Sequence, residues 1–284
     1  MISALHQSLT PVLRADYHTH PQGHRVQHYT QKLLQPWIDS ARRKGIIEIA
    51  FTDHDRYYGG VDFDELDRLR GKNTDIKIRA GIELDNDPET SAAGRKWVEK
   101  NWERLDFVLG SVHYLNKPDQ MFDSVPDGAQ QFVGHQIDDV YSGYFRCVSE
   151  MAKSGLIDGI AHLDLIKIHG HRPHSRVTEL AKQTIEIIRE RNLAIELSTA
   201  GWRKPVNELY PSDEIIIVAI KEKIPFTVAS DAHSSAQLGE NYDRLSQKIS
   251  SFGIHEIYVY EKHKRRRVMT GSSDEAERAT NDAA

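Results

Sequence analysis

The 284-residue chain contains one cysteine, Cys147, so it can build neither an internal disulfide nor a thiolate metal site on its own. No stretch approaches the roughly 18 consecutive apolar residues that a membrane span requires. The first residues also lack the basic-then-apolar pattern of a secretory leader. A soluble cytoplasmic protein with no membrane partner is the expectation. Positive charge is not in excess, since 37 Lys and Arg against 42 Asp and Glu leave a formal net charge of −5. That balance gives no electrostatic reason to expect a nucleic-acid backbone as the main partner, and a small substrate fits better. A GxSxG elbow, a Walker A loop and a GxGxxG turn are all missing from the sequence. Covalent serine catalysis and phosphate-cradling glycine loops therefore find no support.

Histidine is abundant, with 15 residues, and it is both the commonest metal ligand and a costly side chain to bury alone. Its placement is informative only against the secondary-structure pattern. Short apolar runs alternate with longer segments of helical period, the pattern of βα units and a parallel sheet. The runs predict strands over residues 12–17, 46–52, 76–82, 107–112, 157–161, 194–198 and 225–229, with residues 254–260 as an eighth or outlying strand. Helices are predicted notably over 31–44, 137–153, 176–191, 212–223 and 242–251. This is an α/β chain with one barrel domain over residues 1–260 and a polar, flexible tail over 261–284, where KHKRRR gives way to GSSDEAERATNDAA. Two loops stand out. Residues 114–134 form a long irregular connection that suggests a substrate lid. The segment around His169, His171 and His174 reads as a polar surface loop, with a further metal site as the alternative.

In a parallel barrel the carboxyl ends of the strands converge on one face, so residues just past each strand share a pocket. The first strand ends in DYHTH with His18 and His20, two apart and able to face the same side. His54 follows the second strand, Glu83 ends the third, His113 the fourth and His162 the fifth, while Asp231 and His233 follow the seventh. His24, in the PQGH loop, is a ninth ligand candidate, with His28 its competitor. Imidazoles and carboxylates suit zinc, manganese or iron, and nine ligands exceed what one ion takes, so two or three divalent ions are expected. Such ions lower the pKa of bound water toward about 7 and clamp both oxygens of a phosphoryl displacement. Hydrolysis of a phosphoester by a metal-bound hydroxide follows.

The motifs HTH, TDHD, GIELD, GSVHY, AHLD, ELSTAGWRKP and SDAH, in this order, resemble the PHP family and within it the histidinol-phosphate phosphatases. The resemblance spans about residues 16–260. It implies a distorted (β/α)7 barrel with a trinuclear centre, and L-histidinol phosphate as substrate in histidine biosynthesis. It also implies one ion on His18, His20, Glu83 and Asp231, a second shared by Glu83 with His113 and His162, and a third on His24, His54 and His233. Arg203 matches the arginine that meets the substrate phosphate, and a guanidinium offers a planar two-point contact for it. Glu83, Asp231, His233 and Arg203 are thus the catalytic candidates, with Lys204 and Lys167 as further anion contacts. Glu196, Asp16, Asp53, Asp55 and Asp164 are candidates for orienting the ligands. Competing readings are a phosphatase for nucleotides or phosphotyrosine, and a catalytically silent metal-binding module. Oligomeric state is left open by the sequence.

Overall fold

The computed structural model describes residues 13–115 and 120–270. Seven parallel strands run in sequence order: β1 (Ala15–Asp16), β2 (Glu48–Phe51), β3 (Lys77–Leu84), β4 (Phe107–Gly110), β5 (Gly159–Ile160), β6 (Ala194–Ser198) and β7 (Phe226–Ala229). Beyond these pairings the first and last strands approach each other. Tyr17 donates its N–H to the Val228 carbonyl at 3.1 Å, and His20 to that of Ala232 at 2.8 Å. The sheet is therefore a nearly closed barrel, as expected from the seven apolar runs.

The strands read as continuous apolar runs because both faces are covered: Ile49, Ala50 and Phe51 of β2 are fully buried. Outside pack the helices α1 (Gln31–Arg43), α2 (Phe63–Lys72), α3 (Ser91–Asn101), α4 (Ile137–Lys153), α5 (Val177–Leu180), α6 (Lys182–Glu190), α7 (Asp213–Lys221) and α8 (Tyr242–Ser251). In α1, Leu34, Trp37, Ile38 and Ala41 form the buried stripe, and the Thr30 hydroxyl caps the first turn by accepting from Leu33 N–H. The single helix expected over 176–191 is broken at Ala181 into α5 and α6. Gly81 in β3 is required by close approach, because a Cβ there would lie 2.6 Å from the Thr52 methyl and 3.0 Å from the Phe107 carbonyl oxygen. That tight fit sits two residues before Glu83.

The polar run from residue 261 does not hang free up to residue 269. It forms β9 (Lys264–Met269), antiparallel to β8 (Glu256–Glu261), through a two-residue turn in which Lys262 and His263 have φ of 48° and 61°. Most side chains of β9 are exposed; backbone pairing to β8, whose Ile257, Val259 and Tyr260 are buried, holds it in place. His263 pins the turn by stacking on Trp102 at 3.6 Å and bonding Asp158 at 2.9 Å. The final part of the expected tail, residues 271–284, lies outside the described residues, as does the start of the first expected strand. Among the described residues, no helix is long and apolar enough to cross a membrane.

Candidate metal centre and substrate cavity

Six of the seven strand ends deliver side chains to one buried cluster centred on Glu83. Its Oε2 lies 2.8 Å from His54 Nδ1, 3.4 Å from His18 Nε2 and 3.6 Å from His20 Nε2, while Oε1 lies 3.2 Å from His162 Nε2 and 3.8 Å from His113 Nε2. One carboxylate thus faces five imidazoles. Asp231 Oδ1 lies 3.2 Å from His20 Nε2, 3.6 Å from His233 Nδ1 and 3.9 Å from His18 Nε2. His24 reaches the cluster from its loop, its ring 4.7 Å from that of His233. Two ligand candidates sit in left-handed backbone, His162 at φ 27° and Asp231 at φ 49°. Strain of roughly 1–3 kcal/mol per such residue is characteristic of functional sites.

The donor set fits divalent ions. His18 Nε2, both nitrogens of His20, His54 Nδ1 and Glu83 Oε2 are buried and have no hydrogen-bond partner among the described residues. Buried polar atoms are ordinarily paired, and a cluster of unpartnered imidazole and carboxylate atoms is what a cation would satisfy. Several triplets bring ligand atoms within 4.8 Å of one another: His18, His20 and Asp231; His18, Glu83 and His162; His20, His54 and His233. The first agrees with the division implied by the resemblance. The others mix its groups, with His18 beside the second and His20 beside the third.

Electrostatics separates the imidazoles into two kinds. Burial, with the neighbouring His233 and His54, pushes His20 well below the usual histidine range. Burial, with His54 and His24, likewise pushes His233 down to about 4. Both are neutral near pH 7, the form that binds metal. In His18 burial is outweighed by Glu196, Glu83 and Asp231, which raise it well above its ordinary value. In His113 burial is outweighed by Asp85 and Asp123, which raise it to about 10.

Glu196 meets two of the ligand candidates: Oε2 lies 2.7 Å from His18 Nδ1, and Oε1 accepts the His162 N–H at 3.1 Å. Asp85, which the motif reading passed over, does the same for His113, at 3.0 Å from Nδ1. Its signal was present in GIELD, two residues after Glu83 and hence on the same side of the strand. The four other aspartates meet no ligand ring nitrogen among the described residues. Asp16 accepts from Ser230 N–H at 3.0 Å, Asp53 from Tyr29 hydroxyl at 2.7 Å and Asp164 from Ser212 N–H at 2.8 Å. Asp55 is buried with neither oxygen hydrogen-bonded, packed where α3 narrows to Gly94.

A cavity of about 340 Å³ opens over the cluster, walled by Met121, Asp123, Leu165, Arg203, Lys204 and Tyr210 beside the ligand candidates. Arg203 is anchored at its edge by donating Nη2 to the carbonyls of Ser230 at 2.7 Å and Asp231 at 2.9 Å. Lys167 is not brought to this cavity. Its buried ammonium donates to the Leu209 carbonyl at 2.7 Å and pairs with Asp164 at 3.0 Å, facing a separate cavity behind the Trp202 turn. A lysine in a strand-end motif can turn either way around the turn, and here the distant Leu209 carbonyl, together with Asp164, fixes its direction. The loop of residues 114–134 contributes Met121 and Asp123 to the wall, and its Phe122 is fully buried. The His-rich loop holds that loop down: His169 Nε2 donates to the Phe122 carbonyl at 2.7 Å, and Phe132 stacks on His171.

The PHP domain family model matches residues 16–200. The probable histidinol-phosphatase of Deinococcus radiodurans is 32% identical over 236 residues, covering 76% of this chain and 86% of that protein. The histidinol-phosphatase of Bacillus subtilis is 22% identical over 258 residues, covering 78% of this chain and 94% of its own length. The solved histidinol phosphate phosphatase of Lactococcus lactis, complexed with zinc, L-histidinol and phosphate, superposes with a TM-score of 0.67 at 18% identity, over 89% of this chain and 98% of that one.

Proposed function

Because the chain belongs to the PHP domain family, we propose that it is a metal-dependent phosphomonoesterase that hydrolyses L-histidinol phosphate to L-histidinol and phosphate. The observation that carries this reading is Glu83 facing five imidazoles at the floor of a small cavity with an anchored arginine on its wall. Two or three divalent ions, zinc, manganese or iron, bound there would supply activated water at neutral pH and neutralise charge on the phosphoryl oxygens.

His18, His20, Glu83 and Asp231 would hold one ion, Glu83 with His113 and His162 a second, and His24, His54 and His233 the third. Asp231 stays ionised despite its burial, because His18, His20 and His233 surround it and pull its carboxyl well below the ordinary range. Its role is therefore to bind and not to donate a proton. Arg203 has one nitrogen, Nη2, committed to two carbonyls, while buried Nη1 makes no hydrogen bond and lies 3.7 Å from Glu240. A charged donor fixed in this way can orient a phosphate oxygen without first giving up a strong partner. Lys204, on the same wall, adds a second positive charge. Met121, Leu165 and Tyr210 add apolar and aromatic surface to the cavity wall. The activity belongs to histidine biosynthesis, for which a cytoplasmic location is the natural one.

Purified protein loaded with zinc or manganese should hydrolyse L-histidinol phosphate with a kcat/KM well above those for AMP and phosphotyrosine. Faster turnover of either of those esters would replace the substrate assignment.

A further inference from the structure

We infer that Asp123 recognises the ammonium group of the substrate and makes the enzyme selective for phosphate esters that carry a nearby amine. This rests on the proposed phosphatase activity and names the residue that reads the end of the substrate remote from phosphorus.

Three carboxylates line the cavity, and two of them, Glu83 and Asp231, are committed to the imidazole cluster. Asp123 is the third. Its Oδ1 is buried and has no hydrogen-bond partner among the described residues, and no Lys or Arg among them forms an ion pair with it. Left as it stands, a bare carboxylate would oppose the binding of a phosphate ester, because both are anionic. A substrate that also carries a cation removes that conflict.

Among the cavity's cationic side chains, Arg203 has a buried atom without a hydrogen bond, Nη1. Arg203 is fixed at the end of β7 through the Ser230 and Asp231 carbonyls. Asp123 follows Phe122, whose N–H donates to the His113 carbonyl just past β4 at 3.0 Å. In the strand order the two lie three strands apart around a seven-stranded barrel. One wall therefore offers a cationic donor with no hydrogen bond, only a 3.7 Å contact to Glu240, and another an anionic acceptor with no hydrogen bond, which suits a short molecule with phosphate at one end and ammonium at the other. Asp123 is also held in place: His169 donates to the Phe122 carbonyl at 2.7 Å, and the Gln131 amide donates to that of Gln120 at 2.7 Å. The His-rich loop thus positions the recognition residue, although none of its histidines lines the cavity.

The test compares L-histidinol phosphate with its des-amino analogue, 3-(imidazol-4-yl)propyl phosphate, on metal-loaded wild type, Asp123→Asn and Asp123→Glu. Metal content is measured on each. Wild type should prefer the amine-bearing ester. Asp123→Asn should lower the ratio of the two kcat/KM values by roughly 10- to 100-fold, the range for losing a charge-assisted hydrogen bond, with metal content retained. Asp123→Glu should recover part of the ratio. A structural role would lower both activities together and leave the ratio intact, and an unchanged ratio overturns the inference. Absence of activity on L-histidinol phosphate in wild type would instead overturn the underlying phosphatase assignment. Wild-type activity without a preference for the amine would overturn only the role of Asp123.

Discussion

At the amino ends of β2 and β3, the buried Glu48 accepts from Tyr17 hydroxyl at 2.7 Å, from Arg79 Nε at 2.8 Å and from Arg266 at 2.9 Å. At the carboxyl ends of the same two strands, His54 and Glu83 belong to a cluster in which six buried ring or carboxylate atoms lack hydrogen-bond partners among the described residues. Both networks bury charge within one barrel. The lower one closes on itself, with guanidinium, phenol and carboxylate satisfying one another, and it ties the β8–β9 hairpin to the barrel floor. The upper one leaves ring and carboxylate atoms without partners. Barrels commonly keep stabilising contacts at the amino end and chemistry at the carboxyl end. Here the contrast is visible along two strands, and it separates residues whose loss should harm folding from those whose loss should harm function.

The largest effect should come from the upper network. Glu83→Gln should reduce phosphatase activity by on the order of 10³ or more, with bound metal falling in the same preparation by elemental analysis. Retention of both would mean that the carboxylate does not bridge ions. The lower network should answer in stability. Glu48→Gln leaves Arg79 and Arg266 without their shared partner, and removing one member of a buried ion pair costs about 3–5 kcal/mol. Urea unfolding should register that loss, while the folded fraction keeps its specific activity. A variant that unfolds normally but loses catalysis would erase the distinction between the two ends.

Asp85→Asn tests a ligand-orienting contact and should weaken metal affinity about 10- to 100-fold, less than the loss of Glu83 itself. Metal competition with a chromophoric chelator would show it. The smallest effect concerns protons. His113 is raised to about 10 in the metal-free protein, so at pH 7 it carries a proton that an incoming ion must displace. His233, at about 4, has none to lose. Metal affinity should therefore strengthen as pH rises, and calorimetry in buffers of different ionisation enthalpy should detect proton release at pH 7. Binding with no proton release would contradict the role of His113 as a ligand.

The sequence displayed the upper network better than the lower. Ligand candidates such as His18, His54 and His162 fall immediately after apolar runs, so a strand pattern alone places them on one face. Glu48, Arg79 and Arg266 carry no such mark, because Glu48 meets Arg79 across neighbouring strands and meets Arg266 only through a hairpin that returns beneath the barrel. The same blindness made residues 264–269 look like a solvated tail: their side chains are mostly exposed, and only backbone pairing with β8 reveals a strand. Lys167 and Asp123 show the limit within loops. Periodicity has no meaning there, and the direction of each side chain was settled by partners distant in sequence, Leu209 for Lys167 and the His113 and His169 contacts for the Asp123 loop. Asp85 was within reach of the sequence, since strand alternation already placed it beside Glu83.

The most direct test of the central claim is phosphate release from L-histidinol phosphate as metal-free protein is titrated with zinc or manganese. Activity should be negligible at the start and rise to a plateau at two to three ions per chain, and chelation should abolish it again. Activity that survives exhaustive chelation, or that is independent of added metal, would show that the cluster around Glu83 is not the catalytic centre.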